Sequence, residues 1–203
     1  MPHPHRTALI ALSTAAVGLS STGPCDILAE AGNPCVAAHS TVRSLFGEYD
    51  GALYSVTRSS DNTTARVNAV GGVADAAAQD AFCEGTSCTV SCIFDQSPMG
   101  NDLGTAPGGP FYAPQPEAGV DATKAPLTVG GSAVYGSLFE GKMGYRNDTT
   151  TGVPVGDEAE TMYVEKTLLL LLLLLLILLR THPSQVHGRR RNALQRSVLL
   201  RLR

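Results

Sequence analysis

Short segments of alternating apolar and polar residues, separated by glycines and prolines, limit what this chain can fold into. Ala52–Thr57 and Thr89–Phe94 combine this period of two with the aromatic and β-branched residues that suit a pleated strand. Leu127–Val129 and Ser132–Phe139 flank Gly130-Gly131, and two glycines supply the positive φ angles of a tight turn, which predicts a β-hairpin. Several short strands punctuated in this way predict a β-sandwich.

Helical patterns are scarce in the same region. Only Val73–Phe82 is alanine-rich enough to predict a helix, and it has room for two or three turns. The stretch Ser97–Pro126 holds six of the 12 prolines and is predicted to be irregular. With 21 Gly and no Trp in 203 residues, the chain has the composition of turn-rich β structure and the length of one ordinary domain.

The N-terminus has the pattern of a secretory signal peptide over residues 1–22. His3, His5 and Arg6 make a weakly basic start, Thr7–Leu19 carries no charge, and small residues follow. The apolar run is shorter than the roughly 20 residues that a membrane-spanning helix needs. A buried N-terminal helix is the alternative, but its polar face would be nearly empty. We therefore expect a secreted, extracellular protein.

Secretion favours disulfides between neighbouring cysteines. Cys25 and Cys35 flank a loop, and Cys83 and Cys88 enclose a short turn. Neither pair has the Cys-x-x-Cys spacing or the histidine companions of a zinc site, so we predict two disulfides and no metal. No sequence motif suggests a cofactor.

The fifth cysteine, Cys92, is left without a neighbour. Strict alternation places it beside Val90 and Phe94 on one face of a strand. No histidine stands in a recognisable relation to it, so the pattern predicts a buried free thiol rather than a nucleophile.

Two Asn-X-Thr sequences are candidate N-glycosylation sites. They begin at Asn62 and Asn147, and both lie in polar, loop-like surroundings. Such sequences often arise by chance, but behind a signal peptide they agree with secretion.

Charge is divided sharply along the chain. Between Gly23 and Tyr163 there are 17 acidic and 6 basic residues, whereas Arg180–Arg203 contains seven arginines and no acid. Because an acidic surface repels a phosphate backbone, we do not expect nucleic acid as a partner of the acidic part.

The last segment, residues 164–203, differs in composition from the rest of the chain. Leu168–Leu179 is leucine at every position but Ile177, and an arginine-rich tail follows. As a helix, these 12 residues would span about 18 Å, short of the ~30 Å hydrocarbon core of a bilayer. The segment resembles a translated intron or shifted frame more than a selected fold. A membrane tether, or a basic patch for anionic lipid or nucleic acid, is the alternative.

A series of short blocks between Gly23 and Tyr163 carries a more specific signal than the periodicity does. Any single block is common, but their order is informative. The blocks are Gly23-Pro24-Cys25-Asp26-Ile27, Pro34-Cys35-Val36-Ala37-Ala38-His39-Ser40-Thr41, Gly51-Ala52-Leu53-Tyr54, Gly71-Gly72-Val73-Ala74-Asp75, Gln79-Asp80, Phe82-Cys83, Asp95-Gln96-Ser97, Gly100-Asn101, Gly144-Tyr145-Arg146-Asn147 and Gly156-Asp157-Glu158-Ala159-Glu160. Together they resemble the start of the catalytic domain in the α-L-arabinofuranosidase B enzymes of glycoside hydrolase family 54.

This resemblance implies a secreted enzyme that removes terminal L-arabinofuranose from arabinoxylan, arabinan and similar plant cell-wall polysaccharides. It implies a concanavalin-like β-sandwich followed by a β-trefoil, and the two predicted disulfides match those of the family. Members hydrolyse with retention of configuration, which requires two carboxyl groups about 5 to 5.5 Å apart. One is the nucleophile, and the other is the general acid and base.

By the same resemblance, the family's nucleophilic Glu and its acid/base Asp lie beyond the matched segment 23–163. We therefore assign no catalytic residue within this sequence. In particular, nothing in the spacing selects the acids Asp75, Asp95, Asp157 or Glu158.

These expectations lead to a truncated, inactive product that carries an incomplete sandwich. About half of the strands would be missing, so we expect exposed strand edges and no stable native domain. A sharp cooperative melt with a protected amide core would contradict that. Two other functions stay open at this point: a non-catalytic secreted module that binds arabinose-containing glycans, and a protein tethered to a membrane by the leucine run.

Overall fold

The computed structural model describes residues 22–108 and 118–164. The predicted signal peptide up to residue 21, the leucine run and the arginine-rich tail lie outside these residues. No helix within the described ranges has the length and apolar character needed to cross a membrane. The described residues up to Asp157 belong to one compact unit. Residues 158–164 belong to a second unit, and they are exposed and lie outside helices and strands.

The described residues form two antiparallel sheets and two short helices. The larger sheet has six strands in the order β3-β2-β1-β4-β5-β8, and β6 and β7 make a separate two-stranded sheet. In chain order the elements are α1 (Pro24–Glu30), β1 (Ala52–Arg58), β2 (Thr64–Val70), β3 (Val73–Ala74), α2 (Ala76–Phe82), β4 (Cys88–Ile93), β5 (Leu103–Thr105), β6 (Ala125–Val129), β7 (Ser132–Gly136) and β8 (Tyr145–Arg146). The mainly β fold class is therefore confirmed, and the arrangement is consistent with a β-sandwich.

The hydrophobic core lies on one face of the larger sheet. On this face Tyr54 and Val56 of β1 stand opposite Val67 and Ala65 of β2, as expected for alternating side chains. The buried members are Leu53, Tyr54, Val56, Val67, Ala69, Ala74, Cys83, Cys88, Val90, Ile93, Val120, Ala122 and Val134. Helix α2 contacts β2 and β7, and it helps to cover this face.

A buried hydrogen-bond chain connects the sheet with the elements that cover it. The Tyr54 hydroxyl donates to Gln79 Oε1 of α2 at 2.7 Å, and Gln79 Nε2 donates to the carbonyl oxygen of Ala122 at 2.9 Å. Gln79 is only 1% exposed, so its amide would be costly to bury without these partners. The side chain therefore fixes α2 against the core.

Most local predictions agree with these elements. The strands predicted at Ala52–Thr57 and Thr89–Phe94 correspond to β1 and β4, each within one residue at either end. The predicted hairpin is formed by β6 and β7, and Gly130 and Gly131 have φ angles of 58° and 85°. Both predicted disulfides, Cys25–Cys35 and Cys83–Cys88, are also present in the structure.

The helix prediction for Val73–Phe82 was too long at its start. Val73 and Ala74 instead form β3, which pairs with Val70 and Ala69 of β2. Helix α2 begins only after Asp75, whose carboxylate accepts a hydrogen bond from the Ala78 N–H at 3.0 Å. An N-cap of this kind fixes the first turn because it satisfies a backbone donor that the helix leaves free.

Sequence alternation also placed Cys92 incorrectly. A β-bulge shifts the register between β1 and β4, so that Ser55 pairs with Cys92 while Val56 pairs with Val90. Neighbouring residues of β1 point to opposite faces, so Cys92 and Val90 do too. Cys92 is therefore half-buried on the outer face of the sheet, not buried in the core beside Val90.

Candidate functional site

The most buried carboxylate in the described region belongs to Asp95, which begins the 95–101 loop after β4. Its Oδ1 accepts hydrogen bonds from the backbone N–H groups of Ala38, at 2.7 Å, and of Ser97, at 2.9 Å. Its Oδ2 accepts from the Ser97 hydroxyl, at 2.6 Å, and from the Asn101 N–H, at 2.8 Å. Burial alone raises the pKa of Asp95, but these hydrogen bonds outweigh it and hold the pKa below its ordinary value.

Asn101 extends this arrangement to two further segments. Its amide nitrogen donates to the carbonyl oxygens of Val36, at 2.8 Å, and of Thr151, at 2.9 Å. Its amide oxygen accepts from the Thr151 N–H at 2.7 Å, and its backbone carbonyl lies 2.8 Å from His39 Nε2. The side chain is 2% exposed. The side chains of Asp95 and Asn101 therefore join three loops, and all of their polar atoms have hydrogen-bond partners. This is the geometry of a structural anchor.

Gln96 makes a second anchor of the same type. Its Oε1 accepts from the Leu45 N–H at 2.6 Å, and its Nε2 donates to the Arg43 carbonyl oxygen at 3.2 Å. Sequence reasoning assigned no role to Gln96 or Asn101. They do fall within two of the blocks that carried the family resemblance, and those blocks were the only sequence signal pointing to them.

The other acids weighed in the sequence are also not arranged for catalysis. Asp75 caps α2, whereas Asp157 and Glu158 are exposed. A general acid of a glycosidase needs a raised pKa. Hydrogen bonds to the carboxylates of Asp61 and Asp95 instead lower the pKa values of these two groups. In the same ranges no three His, Cys, Asp or Glu side chains come together as a metal site.

The outer face of the sheet carries polar groups around Cys92. The Ser55 and Ser91 hydroxyls lie 2.9 Å apart, and the Arg66 guanidinium stacks over the Phe94 ring at 5.2 Å. Burial, and to a lesser extent the nearby Asp102 carboxylate, raises the pKa of the Cys92 thiol. A thiol that stays protonated is a poor nucleophile, as the sequence predicted for this residue.

A cavity of about 230 Å³ opens beside the start of the described chain. Its lining contains one cation, Arg43, and no carboxyl group. The lining residues are Thr22, Gly23, Arg43, Ser44, Phe46, Gly47, Gly71, Gly72, Val73 and Val129. This cavity therefore has no side chain that could act as the nucleophile or the proton donor of a glycosidase.

Comparison with known proteins places these observations in a family. The profile described as "Alpha-L-arabinofuranosidase B, catalytic" matches residues 24–167. The chain is 47% identical over 169 residues to an α-L-arabinofuranosidase B of Emericella nidulans, a match that covers 80% of this chain and 33% of the relative. It is 49% identical over 154 residues to an α-L-arabinofuranosidase of Hypocrea jecorina, with 73% of this chain and 31% of the relative covered. The chain thus spans about a third of the length of these relatives.

Solved structures give the same match. A crystal structure of an arabinofuranosidase complexed with arabinofuranosyl-α-1,2-xylobiose superposes with a TM-score of 0.65 at 43% identity, over 68% of this chain and 30% of that one. The same values hold for a Glu-to-Gln mutant of a family 54 α-L-arabinofuranosidase soaked with 4-nitrophenyl α-L-arabinofuranoside.

Proposed function

The chain belongs to the α-L-arabinofuranosidase B family of glycoside hydrolase family 54, and on that premise we propose that its gene encodes a secreted retaining α-L-arabinofuranosidase and that these 203 residues have no hydrolase activity by themselves. The substrates would be terminal L-arabinofuranosyl residues of arabinoxylan and arabinan. The match of residues 24–167 to the catalytic profile carries the family part of the proposal. The two disulfides support secretion, because such bonds persist in oxidising compartments.

Inactivity follows from the chemistry of retaining hydrolysis. The reaction needs a nucleophilic carboxylate and a proton-donating carboxyl about 5 to 5.5 Å apart. The best-buried candidate, Asp95, has all its acceptor positions occupied by backbone and hydroxyl donors and has a lowered pKa. A carboxylate held in this way is a poor proton donor, and its oxygens are not free to attack a sugar.

Hydrolysis of 4-nitrophenyl α-L-arabinofuranoside tests this proposal. The 203-residue chain and the full-length Emericella nidulans relative are secreted from the same host and assayed side by side, with medium from the empty host as the blank. We expect nitrophenol from the relative and none above the blank from this chain. Turnover by the isolated 203-residue product would contradict the proposal.

Genomic DNA tests the other part of the proposal, that the gene encodes an enzyme. Translation beyond the codon for Tyr163 in all three frames should recover the remainder of the catalytic domain, with its Glu and Asp. A genuine stop in every frame would leave a fragment or pseudogene instead of an enzyme gene.

A further inference from the structure

Two Asn-X-Thr sequences lie in loops of the described structure, but their asparagine amides are used differently. Asn62 lies in the loop between β1 and β2, and Asn147 directly follows β8. Attachment of an N-linked glycan consumes the side-chain amide of the asparagine and requires a Ser or Thr two residues later. The surroundings of the two amides therefore decide which site accepts a glycan without loss of structure.

The Asn62 amide is not used by the fold. Asp61 holds the loop, because its carboxylate accepts from the Arg58 guanidinium at 2.9 and 2.7 Å and from the Thr63 N–H at 3.0 Å. Asn62 contributes its backbone N–H, which donates to the Arg58 carbonyl oxygen at 3.0 Å. The residue is exposed and has a φ of 57°, which asparagine tolerates. Within the described ranges its side chain makes no hydrogen bond.

The Asn147 amide is used fully. Its Nδ2 donates to the Asp102 carbonyl oxygen at 3.0 Å and so ties the end of β8 to the start of β5. Its Oδ1 accepts from the Thr149 N–H at 2.8 Å and from the Thr149 hydroxyl at 3.3 Å. The residue is half-buried, and a glycan on Nδ2 would displace the amide from these partners.

We propose that Asn62 is an N-glycosylation site and that Asn147 serves as an unmodified turn residue. The donor is a lipid-diphosphate-linked oligosaccharide. The bond between sugar C1 and the diphosphate oxygen breaks, C1 bonds to Asn62 Nδ2, the amide loses one proton, and the lipid diphosphate leaves. The glycan then projects from the β1–β2 loop, where no described hydrogen bond has to be broken. This inference rests on the proposed entry of the chain into the secretory route.

The experiment compares the wild-type chain with variants of the two sites in a yeast or filamentous-fungal host. Each protein is examined before and after peptide-N-glycosidase, which converts a glycan-bearing Asn to Asp and so allows mass spectrometry to locate the site. Thr64→Ala removes the sequon without changing Asn62, and Thr64→Ser is its matched control because it keeps the sequon. Asn68→Gln changes an exposed asparagine on β2 that lies outside any sequon.

We expect one glycan, located at residue 62, on the wild type, Thr64→Ser, Asn68→Gln and Asn147→Gln proteins, and none on Thr64→Ala. A glycan that persists in Thr64→Ala, or one that Asn147→Gln removes, would overturn the proposal. A parallel set carries an established secretory signal in place of residues 1–22. In that set an unglycosylated chain in the medium refutes the Asn62 site. If only that set is glycosylated, the result supports the Asn62 site and contradicts only the prediction that residues 1–22 are a secretory signal.

Discussion

Replacement of Asp95 by asparagine removes one acceptor oxygen and the negative charge from the 95–101 loop. The amide keeps a single oxygen, so one orientation leaves the Asn101 N–H facing an NH₂ group, and the other leaves the Ala38 and Ser97 N–H groups facing it. A buried donor without an acceptor costs about 1–3 kcal/mol, and the loss of charge from the remaining bonds adds about 1 kcal/mol. We therefore expect local opening of the loop to become easier by about 2–4 kcal/mol.

Hydrogen exchange measures this change directly in chains made in a bacterial periplasm, which forms disulfides but adds no glycan to the Asn-X-Ser/Thr sequences that Asp95→Asn and Asp148→Asn create. Since 1.4 kcal/mol corresponds to a factor of ten, the amides of Ala38, Ser97 and Asn101 should exchange about 30- to 700-fold faster in the Asp95→Asn chain. Asp148→Asn is the matched control: it makes the same isosteric change at an exposed carboxylate that lies 3.0 Å from Arg146, where an ion pair contributes less than about 1 kcal/mol.

Equal exchange rates in the wild-type and Asp95→Asn chains would refute this reasoning. If both were also unprotected, the result would support the expectation from the sequence that half of a sandwich has no stable fold. The hydrogen-exchange experiment thus distinguishes a folded chain that does not depend on Asp95 from a chain that has no stable fold.

The effect of Asp95 should also depend on pH. Its pKa in the folded chain lies below the unfolded value of about 3.9, so the stabilisation is fully present above about pH 4. It is lost as the pH falls through the lower, folded value. The difference in exchange between the wild-type and Asp95→Asn chains should therefore be constant near neutral pH and vanish in strong acid. A difference that grew on acidification would contradict the assignment.

Two further predictions concern groups that the fold uses without catalysis. The Tyr145 hydroxyl accepts from the Val120 N–H at 2.8 Å and donates to the Val90 carbonyl oxygen at 2.6 Å, so Tyr145→Phe should lower the free energy of unfolding by about 2–3 kcal/mol and speed amide exchange at Val120. Tyr163→Phe, at an exposed tyrosine, should change neither, and unchanged exchange at Val120 in Tyr145→Phe would contradict the prediction. Denatured but unreduced chain should contain one reactive thiol, that of Cys92, and reduction should expose five, so a higher count before reduction would mean that a disulfide is absent.

Features that depend only on residues close together in the chain could be predicted from the sequence. The Gly130-Gly131 turn required only two residues that accept positive φ, and alternating residues on either side extended it into a hairpin. The disulfides Cys25–Cys35 and Cys83–Cys88 close short loops of the chain, so the spacing of the cysteines brought each pair within reach. The order of the blocks between Gly23 and Tyr163 was enough for the family, which the comparisons then confirmed.

The role of each residue at the candidate site could not be predicted from the residues adjacent to it in the chain. Asp95 stood in the sequence as one acid among 18, and the donors that occupy its oxygens include Ala38, which is 57 residues away. Only the folded chain brings the two together and shows that the carboxylate is an anchor.

Pairing between strands decided the remaining differences. The bulge between β1 and β4 turned Cys92 away from Val90, and pairing with β2 drew Val73 and Ala74 out of the predicted helix. A strand's register and its bulges are set by the partner strand, whose position is not encoded in the local pattern. Composition, turns and cysteine spacing are local and therefore belonged to the sequence, whereas the face of a strand and the partners of a buried carboxylate depended on contacts between distant segments.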